Sequence, residues 1–306
     1  MPQGVEVQVL SSALIYYLKI GIMPRRLMVG HLPLEEGTVV RIHAGQQMKI
    51  KLTLLGTGTF FVRERRSSSA YLLEAGGKKI LIDCGPGTLM RLSQVGVNPL
   101  DLDYILVTHF HADHTSDLFP LIMNCCLDDF YTGGKLLKFP EIIGPKGIRN
   151  FVLKTTKNCR LLVFKKWDKI KFTDVKKEEM LSDILLKSYR VRHIAFGLEA
   201  GGFAFRFNIG DKVIAFSGDT VKCLGVEKVC KNADIFVSDA SYAKGKANMS
   251  HMDTSDVGIM AQKSKVKKVI LSHLYPQTDD IDLVSEVKEK FFGEIVRGKD
   301  FMTIVL

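Results

Sequence analysis

Between Thr108 and His114 the chain sets three imidazoles and one carboxylate, His109, His111, Asp113 and His114, into six consecutive positions. Neutral imidazole nitrogen and carboxylate oxygen are the donors that hold Zn²⁺ and related divalent ions. The preceding Tyr104-Ile105-Leu106-Val107 reads as a short buried strand, and Asp117-Leu118-Phe119-Pro120-Leu121-Ile122 after it is apolar and helix-prone. The cluster therefore falls where a strand gives way to a loop, the place at which a rigid scaffold presents its chemistry. Ordinary loops rarely spend four ligand-type residues on one turn. One such cluster does not close a metal site, so the fold must bring further ligands to the same edge.

Three candidates stand just past other apolar strands. His193 follows Lys187–Val191, Asp219 follows Ile214–Ser217 within Ser-Gly-Asp-Thr, and His273 follows Val269–Ser272. A lone histidine at a strand end is more often structural than a ligand. Three polar residues in series, each at a strand end behind the first cluster, point to convergence on one edge of a layered fold.

The rest of the pattern fits such layering. Met48-Lys49-Ile50-Lys51-Leu52-Thr53-Leu54-Leu55 alternates apolar and polar residues and stops at Gly56-Thr57-Gly58-Thr59, a strand followed by a glycine turn. Ala70–Glu74 and Lys78–Ile82 flank Gly76-Gly77 as a hairpin, and a helix is predicted from Thr88. A short strand at Ile142–Ile143 ends at Gly144-Pro145-Lys146-Gly147, with a helix after it. Further strands are predicted near Leu161–Phe164, Lys169–Phe172, Leu185–Val191, Gly202–Phe207 and Lys212–Ser217, and at Ile235–Ser238, Val269–Ser272 and Met302–Val305. Helices are predicted near Val221–Lys231, Asp253–Lys263 and Asp282–Phe292. Two sets of strands with helices outside them predict an α/β fold, a four-layer αββα sandwich, over residues 48–306. Residues 1–47 carry Pro24 and Pro33 without a strong period and are treated as an N-terminal extension of unreadable structure. Because a fresh strand begins there, Met48 is an alternative natural start.

At 306 residues and 46% hydrophobic content the chain has enough apolar material for a large core, and global disorder is excluded. Its formal charge of +10 favours an anionic partner or substrate. Basic residues concentrate in Lys154–Lys177, where they alternate with apolar residues and Trp167 and read as the solvated outer face of a sheet more than as a nucleic-acid track. None of the six cysteines forms a C-x-x-C pair, so a zinc ribbon is unsupported, and adjacent Cys125 and Cys126 read as buried thiols. The first residues lack a basic n-region, and the apolar stretch Leu10–Met23, broken by Lys19, is too short for a bilayer. The expectation is a cytoplasmic protein without membrane contact, for which a homodimer would be ordinary.

From Met48 to Leu306 the chain resembles the metallo-β-lactamase-fold hydrolase superfamily. The resemblance rests on Gly56-Thr57-Gly58, Asp83-Cys84-Gly85, the His109–His114 cluster, His193, Ser217-Gly218-Asp219-Thr220 and Leu271-Ser272-His273. It implies that His109, His111 and His193 bind a first metal. Asp113, His114 and His273 would bind a second, Asp219 would bridge the two, and Asp83 would orient a ligand histidine. It further implies two divalent ions, zinc by preference because His111 stands where some relatives carry Glu, with Mn²⁺ or Fe²⁺ as alternatives. Two such ions about 3.5–4 Å apart can share a hydroxide nucleophile and stabilise charge on attacking and leaving oxygens. Asp113 would also accept a proton or hydrogen bond from the attacking water.

Within the superfamily the motifs look most like the RNase Z and phosphodiesterase-related branch. Arg63 and Ser67-Ser68-Ser69 extend the opening motif, and Ile143-Gly144-Pro145-Lys146-Gly147 matches a G-P-x-G turn. Val237-Ser238-Asp239-Ala240-Ser241-Tyr242 and Ser250-His251-Met252-Asp253-Thr254 lie where those nucleases carry His-Glu-Ala-Thr and His-x-Thr. The resemblance pairs His251 with Asp239 to stabilise or protonate oxygen at a scissile phosphate; the plainer alternative has His251 merely preceding a helix capped by Asp253. Two departures argue against a tRNA 3′-processing endonuclease. No Gly/Pro-rich arm lies between Gly147 and His193, and His273 is followed by Leu274-Tyr275-Pro276 in place of Ser-x-Arg-Tyr. The leading expectation is a dinuclear hydrolase of a phosphodiester, such as a cyclic nucleotide or a nucleic-acid end. Alternatives are a hydrolase of carboxylic or sulfuric esters, lactones or thioesters and, less favoured, a tRNA 3′-processing endonuclease or a non-catalytic nucleic-acid-binding module using Lys154–Lys177.

Overall fold

Alternation along the strands decides how the layers stack. The computed structural model describes residues 28–29, 32–33, 49–61, 63–131, 133, 139–157, 169–195 and 197–306. The chain divides at Gln47/Met48. In the first unit, β1 (Met28–Val29) pairs antiparallel with β2 (Leu32–Pro33).

The second unit holds two seven-stranded sheets. One contains β3 (Lys51–Gly56), β4 (Ala70–Ala75), β5 (Lys78–Ile82), β6 (Tyr104–Leu106), β7 (Glu141–Gly144) and β8 (Phe172–Asp174) in that order. The other contains β9 (Glu178–Leu181), β10 (Ile184–Val191), β13 (Gly202–Ile209), β14 (Lys212–Phe216), β15 (Ile235–Asp239), β16 (Lys268–Ser272) and β17 (Glu294–Arg297). A small hairpin of β11 (Ile194–Ala195) and β12 (Leu198–Glu199) stands apart, and the last strand, β18 (Thr303–Val305), returns to pair with β3.

Odd and even positions of each strand go to different cores. Tyr71, Leu73, Ile80, Ile82, Leu106 and Ile143 of the first sheet meet Phe205, Phe207, Ile214, Phe216, Val237 and Ile270 of the second in one buried cluster. The intervening residues Leu72, Leu81, Ile105 and Ile142 face outward onto helices α1 (Thr88–Gln94), α3 (Leu118–Tyr131) and α4 (Ile148–Lys157) through Leu92, Leu121, Ile122, Ile148 and Val152. The short α2 (Ala112–Thr115) carries half of the histidine cluster. On the opposite side Ala204, Ala215, Phe236, Val269 and Leu271 pack against α5 (Leu224–Cys230), α6 (Thr254–Lys263) and α7 (Leu283–Lys288). The order is helix, sheet, sheet, helix, the four-layer αββα arrangement.

Strand direction then places the chemistry. β5 through β8 run parallel, as do β14 through β17. β10 is antiparallel to β13, which is antiparallel to β14, so β10 runs with β14. Within each sheet the carboxyl ends of these strands share one edge, the usual place for a site in an α/β fold. Asp83, His109–His114, His193, Asp219 and His273 all follow such ends, and Asp239 closes β15.

The sequence-based pattern needs correction in the basic region. Lys154 and Lys157 lie on helix α4, because Ile148 and Val152 recur four residues apart against the first sheet. The strand expected at Lys169–Phe172 begins only at Phe172. The predicted strand Leu161–Phe164, Trp167 and the stretch Leu10–Met23 lie outside the described residues. Strands β9 and β17, on the two edges of the second sheet, were not anticipated.

Candidate metal centre

Two left-handed residues shape the edge. Asp83 (φ 58°) and His273 (φ 55°) adopt a conformation that is costly without glycine and that concentrates where a site over-determines the backbone. Glycine is required where loops press together: a Cβ on Gly85 would lie 2.0 Å from the Asp113 carbonyl oxygen.

The predicted ligands converge in two groups. His109, His111, His193 and Asp219 offer donor atoms all within 4.8 Å of one another, as do Asp113, His114, Asp219 and His273. Asp219 belongs to both. Its Oδ1 lies 3.2 Å from His114 Nε2, and its Oδ2 lies 3.2 Å from His273 Nε2, 3.7 Å from His109 Nε2 and 3.9 Å from His193 Nε2. Asp113 Oδ2 sits 3.4 Å from His273 Nε2 and 3.7 Å from His114 Nε2.

Four imidazoles are held from behind through Nδ1, which turns Nε2 toward the cluster. Thr108 Oγ1 meets His109 (3.0 Å), Asp83 Oδ2 meets His114 (2.7 Å), the Ser250 carbonyl meets His193 (2.8 Å) and Ser241 Oγ meets His273 (2.9 Å). Such partners fix tautomer and ring direction in metal sites. Asp83 is itself pinned by the Thr108 amide and hydroxyl. Of these supports only Asp83 was foreseen; the Ser250 carbonyl, as a backbone acceptor, leaves no sequence signal, and Thr108 and Ser241 were visible only as parts of the runs around His109 and Asp239.

The donors fit divalent ions. Nε2 of His109 and of His114 are buried without a hydrogen-bond partner, a costly condition unless something else occupies them. Burial, with the neighbouring His114, holds His109 well below the usual imidazole range, in the neutral form that ligates. Burial would do the same to His114, but Asp219, Asp83 and Asp113 outweigh it and push its pKa well up. That group of carboxylates demands a positive charge at the spot where a cation would sit. Asp219 stays well below the normal carboxylate range despite burial because His114, His273 and His109 surround it.

Beside the cluster, His251 Nδ1 lies 2.9 Å from Asp239 Oδ2, both side chains almost fully buried. Asp239 also accepts from the Thr220 amide (3.0 Å), the Ser241 amide (3.1 Å) and the Ser241 hydroxyl (2.6 Å). Burial opposes protonation of His251, yet the Asp239 carboxylate lifts its pKa to about 8. The plainer expectation also has a place: Asp253 caps α6 through the Asp256 amide (2.8 Å). A pocket of about 490 Å³ opens above the cluster, walled by Phe60, Phe61, Tyr242 and Tyr275, with His251 and Asn248 beside them. Tyr242 and Tyr275 stack with ring centroids 5.2 Å apart, and Tyr275 Oη lies 3.4 Å from His251 Nε2. Phe60 and Phe61 are more than half exposed. Sequence reasoning missed this aromatic wall, since two adjacent phenylalanines just after a glycine turn look like ordinary apolar residues.

Residues 50–299 match the protein family described as "Anti-Pycsar protein Apyc1". The chain belongs to this Apyc1 family. Beyond the Apyc1 family, it is 26% identical over 296 residues to a ribonuclease Z of Saccharolobus islandicus, covering 84% of this chain and 99% of the relative. It is 25% identical over 304 residues to a ribonuclease Z of Methanosarcina acetivorans, covering 83% and 97%. The metallo-β-lactamase-fold protein YhfI from Bacillus subtilis superposes with TM-score 0.71 at 19% identity, over 84% of this chain and all of that one. The short form of human tRNase Z superposes with TM-score 0.64 at 23% identity, over 83% and 98%. This Apyc1-family chain is thus a metal-dependent hydrolase of metallo-β-lactamase fold, related to ribonuclease Z. Among the described residues no helix is long and apolar enough to cross a membrane.

Proposed function

We propose that this protein is a dinuclear, zinc-dependent hydrolase of a small phosphodiester carrying an aromatic base, such as a cyclic nucleotide. The observation that carries the proposal is the pocket: aromatic walls rise over a floor that includes five of the seven candidate ligands, and no lysine or arginine among the described residues lines it. Its volume of about 490 Å³ falls within the roughly 300–1,000 Å³ of small-molecule sites. A polynucleotide track calls for a row of cations along the backbone. Exposed Phe60 and Phe61 offer faces on which a base stacks.

His109, His111, His193 and Asp219 would hold one ion, and Asp113, His114, Asp219 and His273 the other. Bound there, two divalent ions supply Lewis acidity toward a phosphoryl oxygen and an activated water near neutral pH. Asp113 is placed to orient that water, since it is among the residues that line the pocket. His251, anchored to Asp239 through Nδ1, presents Nε2 to the pocket, where it donates a proton to the leaving oxygen. Asp239 keeps that imidazole in the required tautomer, much as a buried carboxylate does in a catalytic triad.

Parallel assays of the zinc- and manganese-loaded protein with bis-p-nitrophenyl phosphate, cyclic mononucleotides, an aryl sulfate and a lactone test the proposal. Phosphodiester turnover abolished by His114→Ala supports it. Turnover confined to the sulfate or lactone overturns it in favour of another ester class.

A further inference from the structure

The same edge carries a second, differently charged pocket. It encloses about 620 Å³ beside the aromatic one and is lined by five cations: Arg63, Arg65, Arg66, Arg297 and Lys299. Three acids share it, Glu64, Asp279 and Asp300. Phe60 and Phe61 face the first pocket and Arg63 to Arg66 the second, so this segment walls both. Arg63 also donates to the carbonyl oxygen of Leu274, the residue after ligand His273.

The acids do not balance the cations. Asp300 is spent on the Thr57 amide and hydroxyl, the Ser67 amide and a fourth donor, Arg91, which does not line the pocket. Glu64 is exposed at the tip of the turn that pairs Arg63 with Arg66. Asp279 is left facing three guanidiniums: Arg63 at 2.7 Å, Arg297 at 3.6 Å and Arg66 at 4.0 Å. One carboxylate does not neutralise three. Burial, together with repulsion from Arg297 and Arg63, holds Arg66 below its ordinary range. The Nε–H groups of Arg63 and Arg297 are moreover buried without an acceptor. Most of the arginines' terminal N–H groups go to uncharged acceptors, Arg66 to Thr57 Oγ1 and the Gly298 carbonyl and Arg297 to the Thr278, Asp279 and Ile281 carbonyls, which hold the guanidiniums in place without cancelling their charge. Converging guanidiniums of uncompensated charge favour a multiply charged, tetrahedral oxyanion over a carboxylate.

We propose that this arginine pocket is a second anion site, separate from the metal centre, that binds a phosphoryl dianion. Five lining cations against three acids, one of which is shared with Arg91 outside the pocket, leave at least two positive charges for a dianion to offset. Its room exceeds that of orthophosphate, so the phosphoryl group fits either free or attached to an organic body. The proposal stands whether or not the metal centre hydrolyses phosphodiesters.

The test is isothermal titration of the full, metal-loaded chain at low ionic strength with inorganic phosphate and, separately, thymidine 5′-monophosphate. Two events are expected, one abolished by chelating the metal and one surviving it. The surviving event should weaken at least about fivefold in Arg65→Ala/Lys299→Ala, whose side chains are exposed, and should fade with added salt. Arg297→Gln should remove it, with circular dichroism reporting that the fold is kept. If inorganic phosphate alone gives this event the ligand is the free anion; if the monophosphate binds more tightly it is a phosphate ester, and either result supports the site. Absence of any chelator-resistant event in the wild type overturns the proposal, as does one unchanged in Arg65→Ala/Lys299→Ala.

Discussion

Replacing Asp239 by asparagine separates charge from shape at the residue that joins His251 to the rest of the site. The carboxylate receives four donors, and its side chain is fully buried. A carboxamide accepts at only one of its two ends. The cheaper orientation keeps oxygen toward Thr220 and His251 and turns the NH₂ toward Ser241. The Ser241 hydroxyl has an alternative acceptor, the His273 carbonyl oxygen at 3.0 Å, so it can turn away. The Ser241 amide cannot, and one buried N–H is left facing another donor. An unsatisfied buried group costs about 1–3 kcal/mol, and urea denaturation should show Asp239→Asn less stable by about that amount. The catalytic effect is separate. If Asp239 acts by holding His251, Asp239→Asn forfeits much of what a positioned proton donor contributes, about 10²–10⁴-fold, or about 2.7–5.5 kcal/mol of barrier. The decisive assay is a double-mutant cycle on kcat/KM with Asp239→Asn and His251→Ala, metal content being checked in each variant. Residues acting as a unit are strongly non-additive, so the double variant should match His251→Ala to within about twofold. A double variant slower by the product of the two single effects refutes the pairing.

Asp83→Asn removes the anion behind His114 and should weaken binding of one metal by about 10–100-fold, measured by equilibrium dialysis. Phe60→Ala/Phe61→Ala should raise KM for an aromatic phosphodiester while leaving kcat within about threefold, since base stacking is worth about 1–3 kcal/mol per base; an unchanged KM counts against the aromatic wall as a base site. Phe216→Ala should cost about 3–5 kcal/mol of stability, because its ring is buried between the sheets against Tyr71 and Phe207. Burial pushes the thiols of Cys125 and Cys230 up to about 12 and about 11, and that of Cys84 well up. Thiolate is the reactive form, so iodoacetamide at pH 8 should label half-buried Cys223 before these three in the native protein, as peptide mapping would report.

What the sequence disclosed and what it hid follow one physical division. His109–His114, His193, Asp219 and His273 were legible because each follows a run of apolar residues whose strand ends at a common edge. The second sheet's two edges were harder: β9 and β17 are short and carry Glu178, Glu179 and Glu294, which break the apolar pattern. Lys154 and Lys157 misled because their charges drew attention from the four-residue spacing of Ile148 and Val152. The arginine pocket was half visible, in that Arg63 belonged to a motif, but nothing local indicated that Arg297 and Lys299 would arrive from more than two hundred residues away.

Each candidate ion site draws on both sheets: His109, His111, Asp113 and His114 follow β6, whereas His193, Asp219 and His273 follow β10, β14 and β16. The interior between the sheets is built mainly of leucine, isoleucine and phenylalanine, whose attraction is non-directional. Coordination is directional: ligand distances hold within about 0.2 Å, whereas sliding one sheet past the other by a single residue moves it about 3.3 Å. The ions would then act as a vernier on the sandwich, adding a directional constraint finer than the non-directional packing between the sheets supplies.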